Sequence, residues 1–545
     1  MTLASMTSTP RQWLYALVAV TLAFKLWLSA VFPITGDEAY FIYWGAAPAL
    51  GYYDHPPMIG WLLALLLRIS DAPWVLRLPI TLLPAAMALV LHAVLRQRAD
   101  AGADADADAD ADGGDRAALA AIGLLLMPVH VWDVFITTDT PLVFWSFLSG
   151  LAFWRAHVGR GDAGGDHRKS GGRDSAWFIA AGVFLGLAFL SKYFAVLLGV
   201  AFLGVVLASP RGQRRWRGLL ITIAAALPLV AFNLYWNFDN CWANLMFNLY
   251  NRHDDAGWSW RTPALYAATL LYTLSPVALV ALAMQAMQAG GRGWRSWLDR
   301  LRDDASLRVL AILGGLPFLI FALLSSFKQI GLHWVFSFVP FFFAACALLL
   351  SRRVLKASAI FLGVFSVVHV AAILASAGLP LERWQGLRIY DGVVFHFRIH
   401  DVLKELKPYE GEFELAADGY SAAVTASYYR GRYVFVFGEA SSHARHDDVA
   451  TDFRKFAGRN IAVLRKSPPR DEDYRPYFES VEYRKFDLAG ATFHVVLGRG
   501  FRYAAYRDQV LAKVKQRYYA MPRYLPQGHC DFCERYADGA SCPVR

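Results

Sequence analysis

Charge is scarce in this chain. Of 545 residues, 18% are Asp, Glu, Lys or Arg and 56% are hydrophobic, which excludes an ordinary soluble protein. Cysteine is scarce too, and five residues are too few to define a disulfide framework. No P-loop and no dinucleotide-binding glycine fingerprint occurs. Residues 1–11 hold no cleavage-like signal, so the first apolar run is expected to stay as a membrane span. The net charge of +10 raises nucleic acid as a partner. Most Arg before residue 360 lies in short loops between apolar runs, however. Membrane topology accounts for it, and no nucleic acid is expected.

What is present is a series of long apolar runs, at 12–33, 74–95, 117–132, 141–154, 176–191, 193–209, 218–236, 263–287, 308–327, 334–350 and 357–379. They predict an all-α polytopic membrane bundle of about eleven spans over residues 1–380. The stretch 176–209 carries one charge, Lys192, near its middle, and is read as a hairpin of two short helices turning there. With the N-terminus inside, Arg155–Arg173 with five Lys/Arg, the run RGQRRWR at 211–217, Arg292–Arg308 and Arg352–Lys356 all fall inside. The remaining loops hold almost no Lys or Arg. They would share one outer face: 34–73, 133–139, Lys192, 237–262 and Lys328–His333. The Ala-Asp repeat at 100–112 reads as a disordered cytoplasmic linker. After residue 380, short alternating segments at 432–438, 460–466 and 491–498 read as strands. Residues 381–545 are therefore expected to form a soluble extracytoplasmic α/β or α+β domain.

Candidate chemistry gathers on the outer loops. Asp37 and Glu38 follow the first span: a capping pair, or a carboxylate acting as general base or orienting a polyol. Tyr53-Asp54-His55-Pro56-Pro57 is a rigid turn ahead of an amphipathic stretch, Met58–Arg68, expected to lie along the membrane surface. His55 is a turn histidine or an imidazole offered to a phosphate. Asp139 is a helix cap or a site acid. Lys192, and Lys328 with His333, either snorkel to the interface or bind a lipid phosphate. Trp236 and Asn237 open a segment with Asn240, Asn244, Asn248 and Asn251 and continuing through Arg252–Asp255. Its aromatic faces and amides suit a sugar. His529, Cys530, Cys533 and Cys542 could hold zinc or form a disulfide, and the two are left open.

The motifs GDEAYFIYW, YYDHPPMIGWLLAL, VLRLP, TTDTPLVFW, LSKYF and WNFDNCW, in that order, resemble the bacterial glycosyltransferase family 39-like membrane enzymes. These are related to protein O-mannosyltransferases and the lipid A aminoarabinose transferase. The resemblance covers about residues 30–350, with less specific likeness at SFKQIGLHW and in the tail segment YSAAVTASYYRGRYVFVFGEASSHARHDD. It implies a GT-C fold with its active site on the extracytoplasmic face. The implied donor is a sugar on polyprenyl (undecaprenyl) phosphate. Asp37 becomes the catalytic or acceptor-orienting carboxylate with Glu38 beside it, Lys192 a carrier-phosphate ligand, and Asp139 a family acid. His55 replaces a lysine of the aminoarabinose branch, which weighs against that sugar.

The expected acceptor is an envelope glycolipid, lipid A or lipopolysaccharide, ahead of a protein. The expected location is the bacterial inner membrane. No cofactor is assigned, and a divalent cation is left open. A lipid transporter or flippase is the competing class. It would show midplane charges and an inverted repeat, and neither is found.

Overall fold

A computed structural model describes residues 9–102, 107–159, 167–251, 257–287, 292–438, 446–536 and 542. The first helix, Pro10–Val31, starts on a capping box in which Thr9 and Gln12 satisfy each other's backbone N–H groups, with Pro10 in its first turn. Every expected apolar run holds helix. Among the described residues, five helices are long and apolar enough to cross a membrane: Pro10–Val31, Leu78–Asp100, Trp216–Phe238, Ala305–Ser325 and Arg352–Ala377. A sixth span results if the pair Arg261–Leu274 and Pro276–Met287, bent by 104°, counts as one.

The chain is thus a multi-pass membrane protein with fewer full-length spans than the eleven runs suggest. Helices such as Val339–Leu349 are too short to cross alone. Lipid-facing positions carry apolar side chains, among them Val20, Leu220, Leu323 and Val367, all more than 60% exposed. The Ala-Asp repeat is helical on both sides, to Gly102 and again from Ala107, and residues 103–106 lie outside the described residues. Lys192 does sit at a turn, between the helices His167–Phe189 and Val196–Ala208.

The basic loops are tied to one another. Arg98 pairs with Asp304 at 3.1 Å, and Arg215 pairs with Asp174 at 3.2 Å. Arg308 donates to Gln213 Oε1 at 2.7 Å. They share one end of the bundle. The expected outer loops meet in the same fashion elsewhere.

The tail holds a five-stranded sheet ordered β2-β1-β3-β5-β4, with β1 (Glu414–Ala417), β2 (Phe435–Val436), β3 (Ile461–Arg465), β4 (Phe478–Leu488) and β5 (Ala491–Phe501). Strands β2, β1 and β3 run parallel, while β5 is antiparallel to both its neighbours. Ala489 and Gly490, both with positive φ, make the two-residue turn that links β4 to β5. Alternation along the strands sends Leu415, Ala417, Leu464 and Val495 to one face, under the helices Tyr390–Phe397, Ile399–Leu406 and Tyr420–Arg430. Ala416, Ile461, Val463 and Val496 face the other way. There they pack with Tyr53, Cys241, Trp242, Met246 and Phe247 from the bundle's loops. One face of the tail's sheet therefore belongs to an apolar cluster that extends into the bundle's loops.

Candidate functional site

The Gly36–Ala46 helix begins with a second capping box, Thr35 with Glu38. The Thr35 N–H and Oγ1–H both donate to Glu38 Oε2 at 3.0 Å. Glu38 goes further inward and is completely buried against Arg77, itself completely buried. Arg77 grips the carboxylate with two N–H donors at 2.7 Å each, and Ile136 N–H adds a third contact at 3.1 Å. The remaining guanidinium donors go to the carbonyls of Ser29, Phe32 and Pro33 at 2.7–3.0 Å. A charge pair taken out of water this completely survives only because every donor and lone pair is used. Glu38 therefore faces the interior, which removes it from contact with a substrate. Its neighbour Asp37 is exposed and accepts a hydrogen bond from the Tyr420 hydroxyl at 2.6 Å.

Asp139 opens the helix Asp139–Val158, and Lys192 approaches it from the turn after Phe189. The ammonium contacts both carboxylate oxygens, at 3.0 and 2.9 Å, with both side chains almost fully buried. His333 Nε2 stands 3.9 Å from the same carboxylate and its side chain is 43% exposed, on the open side of the pair. The two residues that the sequence leaves separate are thus each other's partner, and His333 joins them. Lys328 follows the helix Ala305–Ser325 on the loop leading to His333, half-buried.

The Asp-His-Pro-Pro turn lies deeper. Asp54 is buried and accepts from the Tyr40 hydroxyl at 2.9 Å. Tyr40 in turn accepts from the backbone N–H of His446 in the tail at 2.8 Å. Tyr53 is buried, and its hydroxyl accepts from Asn251 at 3.1 Å. His55 is half-buried among the rings of Phe41, Trp44 and Phe247.

The asparagines read as sugar ligands are mostly spent on the backbone. Asn244 donates to Tyr52 O, Asn248 to Asp54 O, and Asn251 to Tyr518 O. Asn237 is buried and donates to Asn233 O while accepting from Leu245 N–H. Trp236 lies on Gly51, where any Cβ would enter its indole ring. These residues build the loop. Residues 252–256, including Arg252–Asp255, lie outside the described residues.

Cross-links bring the loops together. Met58 N–H donates to Leu190 O at 3.1 Å, which sets the proline turn beside Lys192. The segment 133–139 bridges Glu38, through Ile136, to the Asp139–Lys192 pair. Within it Asp133 is half-buried, and desolvation raises its carboxyl to about 6 against the pull of Lys25.

The cysteines form disulfides, Cys241–Cys530 and Cys533–Cys542. Bonded this way the sulfurs are not thiolates, the form that ligates zinc, while the Sγ atoms of Cys530, Cys533 and Cys542 lie within 4.8 Å of one another. His529 pairs instead with Glu534 at 3.1 Å. Cys241 and Trp242 both adopt left-handed backbone. That costly conformation is held by Asn237 O accepting from Trp242 N–H at 2.7 Å, by His529 O accepting from Cys241 N–H at 3.1 Å, and by Pro526 O accepting from the indole at 2.8 Å.

Three participants escape the sequence reading. Arg77 stands inside an apolar run, and a lone charge there signals a buried counter-charge. Tyr420 and His446 come from the tail, and no local pattern points them at residue 37 or 40.

Residues 111–236 match the profile of the family described as dolichyl-phosphate-mannose-protein mannosyltransferase. The lipid A galacturonosyltransferase RgtD of Rhizobium johnstonii is 28% identical over 229 residues, 41% of this chain and 43% of that protein. The match thus spans less than half of the relative. Among solved structures, the Archaeoglobus fulgidus oligosaccharyltransferase tethered with an acceptor peptide overlays with a TM-score of 0.42 at 13% identity. That overlay covers 77% of this chain and 63% of the other. The same organism's oligosaccharyltransferase AglB, in complex with an inhibitory peptide and a dolichol-phosphate, gives 0.36 at 13% identity, covering 77% and 56%.

Proposed function

From a chain that carries a mannosyltransferase-family segment at residues 111–236, we propose a membrane glycosyltransferase that moves a sugar from a polyprenyl phosphate to an envelope acceptor. The observation that carries the reading is the 133–139 segment. It joins buried Glu38, next to the exposed Asp37, to the buried Asp139–Lys192 ion pair, at the end of the bundle opposite the basic loops. The acceptor hydroxyl attacks the anomeric carbon while the bond from that carbon to the carrier phosphate breaks. The sugar transfers, the proton passes to Asp37, and polyprenyl phosphate leaves as an anion. Lys192 supplies positive charge where that anion develops, with the His333 imidazole beside it. Lys192 already contacts both oxygens of Asp139, so a phosphate must share or displace that pair.

Two disulfides favour an oxidising compartment for the tail, in keeping with an N-in topology and an extracytoplasmic site. The relative's name supports a glycolipid acceptor and makes galacturonic acid the first sugar to try. Residues 1–380 then form the catalytic bundle, and 381–545 form the tail that closes it.

The test is Asp37→Asn in the purified full chain, with undecaprenyl-phosphate-linked galacturonic acid and lipid A as probes. Envelope mass spectrometry of cells with and without the gene identifies the native sugar and acceptor, glycolipid or protein. The variant is expected to insert normally and transfer no sugar. Full activity removes Asp37 from the chemistry.

A further inference from the structure

The carboxylate proposed to receive the proton is held by the tail. Tyr420 is the first residue of the Tyr420–Arg430 helix, and its hydroxyl donates to Asp37 Oδ1 at 2.6 Å. Asp37 is itself in the first turn of the Gly36–Ala46 helix. Asp37 thus sits at the positive end of its own helix, and the tail reaches it through the Tyr420 hydroxyl. The approach needs Gly36. A Cβ there would lie 2.7 Å from Ser421 Cβ and 3.0 Å from Ser421 Cα, closer than packed atoms allow. Nearby contacts fix the same docking. Ile34 N–H donates to the Tyr429 hydroxyl at 3.0 Å, and Tyr433 stacks on Tyr43 at 5.4 Å.

We propose that Tyr420 is the positioning residue for Asp37, so that the tail completes the active site in addition to packing on it. This rests on the glycosyltransferase reading above. A phenol donating to one carboxylate oxygen fixes the rotamer of Asp37 and leaves the other oxygen to face the acceptor. A charged-group hydrogen bond of this kind is worth about 10–100-fold in a rate that depends on that orientation. Because the tail supplies it, a chain whose tail is displaced has every residue of the bundle in place and a carboxylate without its brace.

The experiment compares Tyr420→Phe with Tyr429→Phe in the full-length, disulfide-intact protein. Initial rates are measured with undecaprenyl-phosphate-linked galacturonic acid and lipid A, and resistance of the tail to limited proteolysis reports docking. Each variant deletes one hydroxyl from the same helix at the same interface, but only Tyr420 touches Asp37. Tyr420→Phe is expected to lower kcat about 10–100-fold with the carrier KM within threefold and the tail still resistant. Tyr429→Phe should stay within twofold of the parent. Equal kcat for the two variants overturns the proposal. So does a Tyr420→Phe protein whose loss tracks a protease-sensitive tail. An active Asp37→Asn protein would instead remove the glycosyltransferase role of that carboxylate, so the two failures are distinct.

Discussion

Replacing Arg77 by Met keeps the volume and the apolar stem but deletes five donor contacts. Two went to Glu38, and three went to the carbonyls of Ser29, Phe32 and Pro33. Glu38 stays behind with Thr35 and Ile136 as donors and no counter-charge, in a place with no exposure to water. Removing one partner of a buried pair costs roughly 3–5 kcal/mol, because the other charge is left uncompensated. Glu38→Gln, which strands the guanidinium instead, should cost about the same. The double variant Glu38→Gln/Arg77→Met buries no charge at all, so its loss should be less than the sum of the singles by about 1–3 kcal/mol. The assay is a denaturant series on the purified protein in detergent, following the monomeric folded fraction, for the parent and the three variants. Strictly additive losses, or a single variant as stable as the parent, would refute the reasoning. Either result would mean that this pair does not hold the first helix to the 34–38 loop.

Lys192→Ala should raise the KM for the carrier lipid about 10–100-fold, the scale of a lost charged hydrogen bond, with Lys192→Arg intermediate. An unchanged KM in steady-state transfer assays counts against phosphate binding there. His446 sits where burial lowers its pKa from the usual 6.5 to about 4. The folded state takes up this proton less readily than the unfolded state. Its contribution to stability is complete above pH 6.5 and is lost as pH falls from 6.5 towards 4. Tail protease resistance should drop over that window, and His446→Gln should flatten the drop. A parent protein equally resistant at pH 4.5 and 7 would exclude it.

The membrane bundle was legible because hydrocarbon imposes long apolar runs. The count of full spans was not, because a run of apolar letters does not say where a helix bends. The break at Ser275, with φ of 66°, leaves two half-length helices bent by 104° in what reads as one stretch. Charge bias of the loops correctly grouped Asp139 with Lys192, yet only the fold shows that they pair. Asp37 and Glu38 look interchangeable as letters. One helical step of 100° turns them to opposite sides, one exposed and the other sealed on Arg77. The asparagine-rich segment had the composition of a sugar site. Composition cannot tell an amide offered to a ligand from one bonded to a neighbouring carbonyl, as Asn244 and Asn248 are. Strands β1 and β4 had no clear periodic signal. The first is four residues long, and the second lies at the sheet's edge with its side chains largely exposed.

The bond between Cys241 and Cys530 spans 289 positions, tying the segment after the Trp216–Phe238 helix to the tail. Sealing must therefore wait until residue 530 has been made and meets residue 241 under oxidising conditions. A nascent or reduced copy would hold all its spans and still lack this fastening.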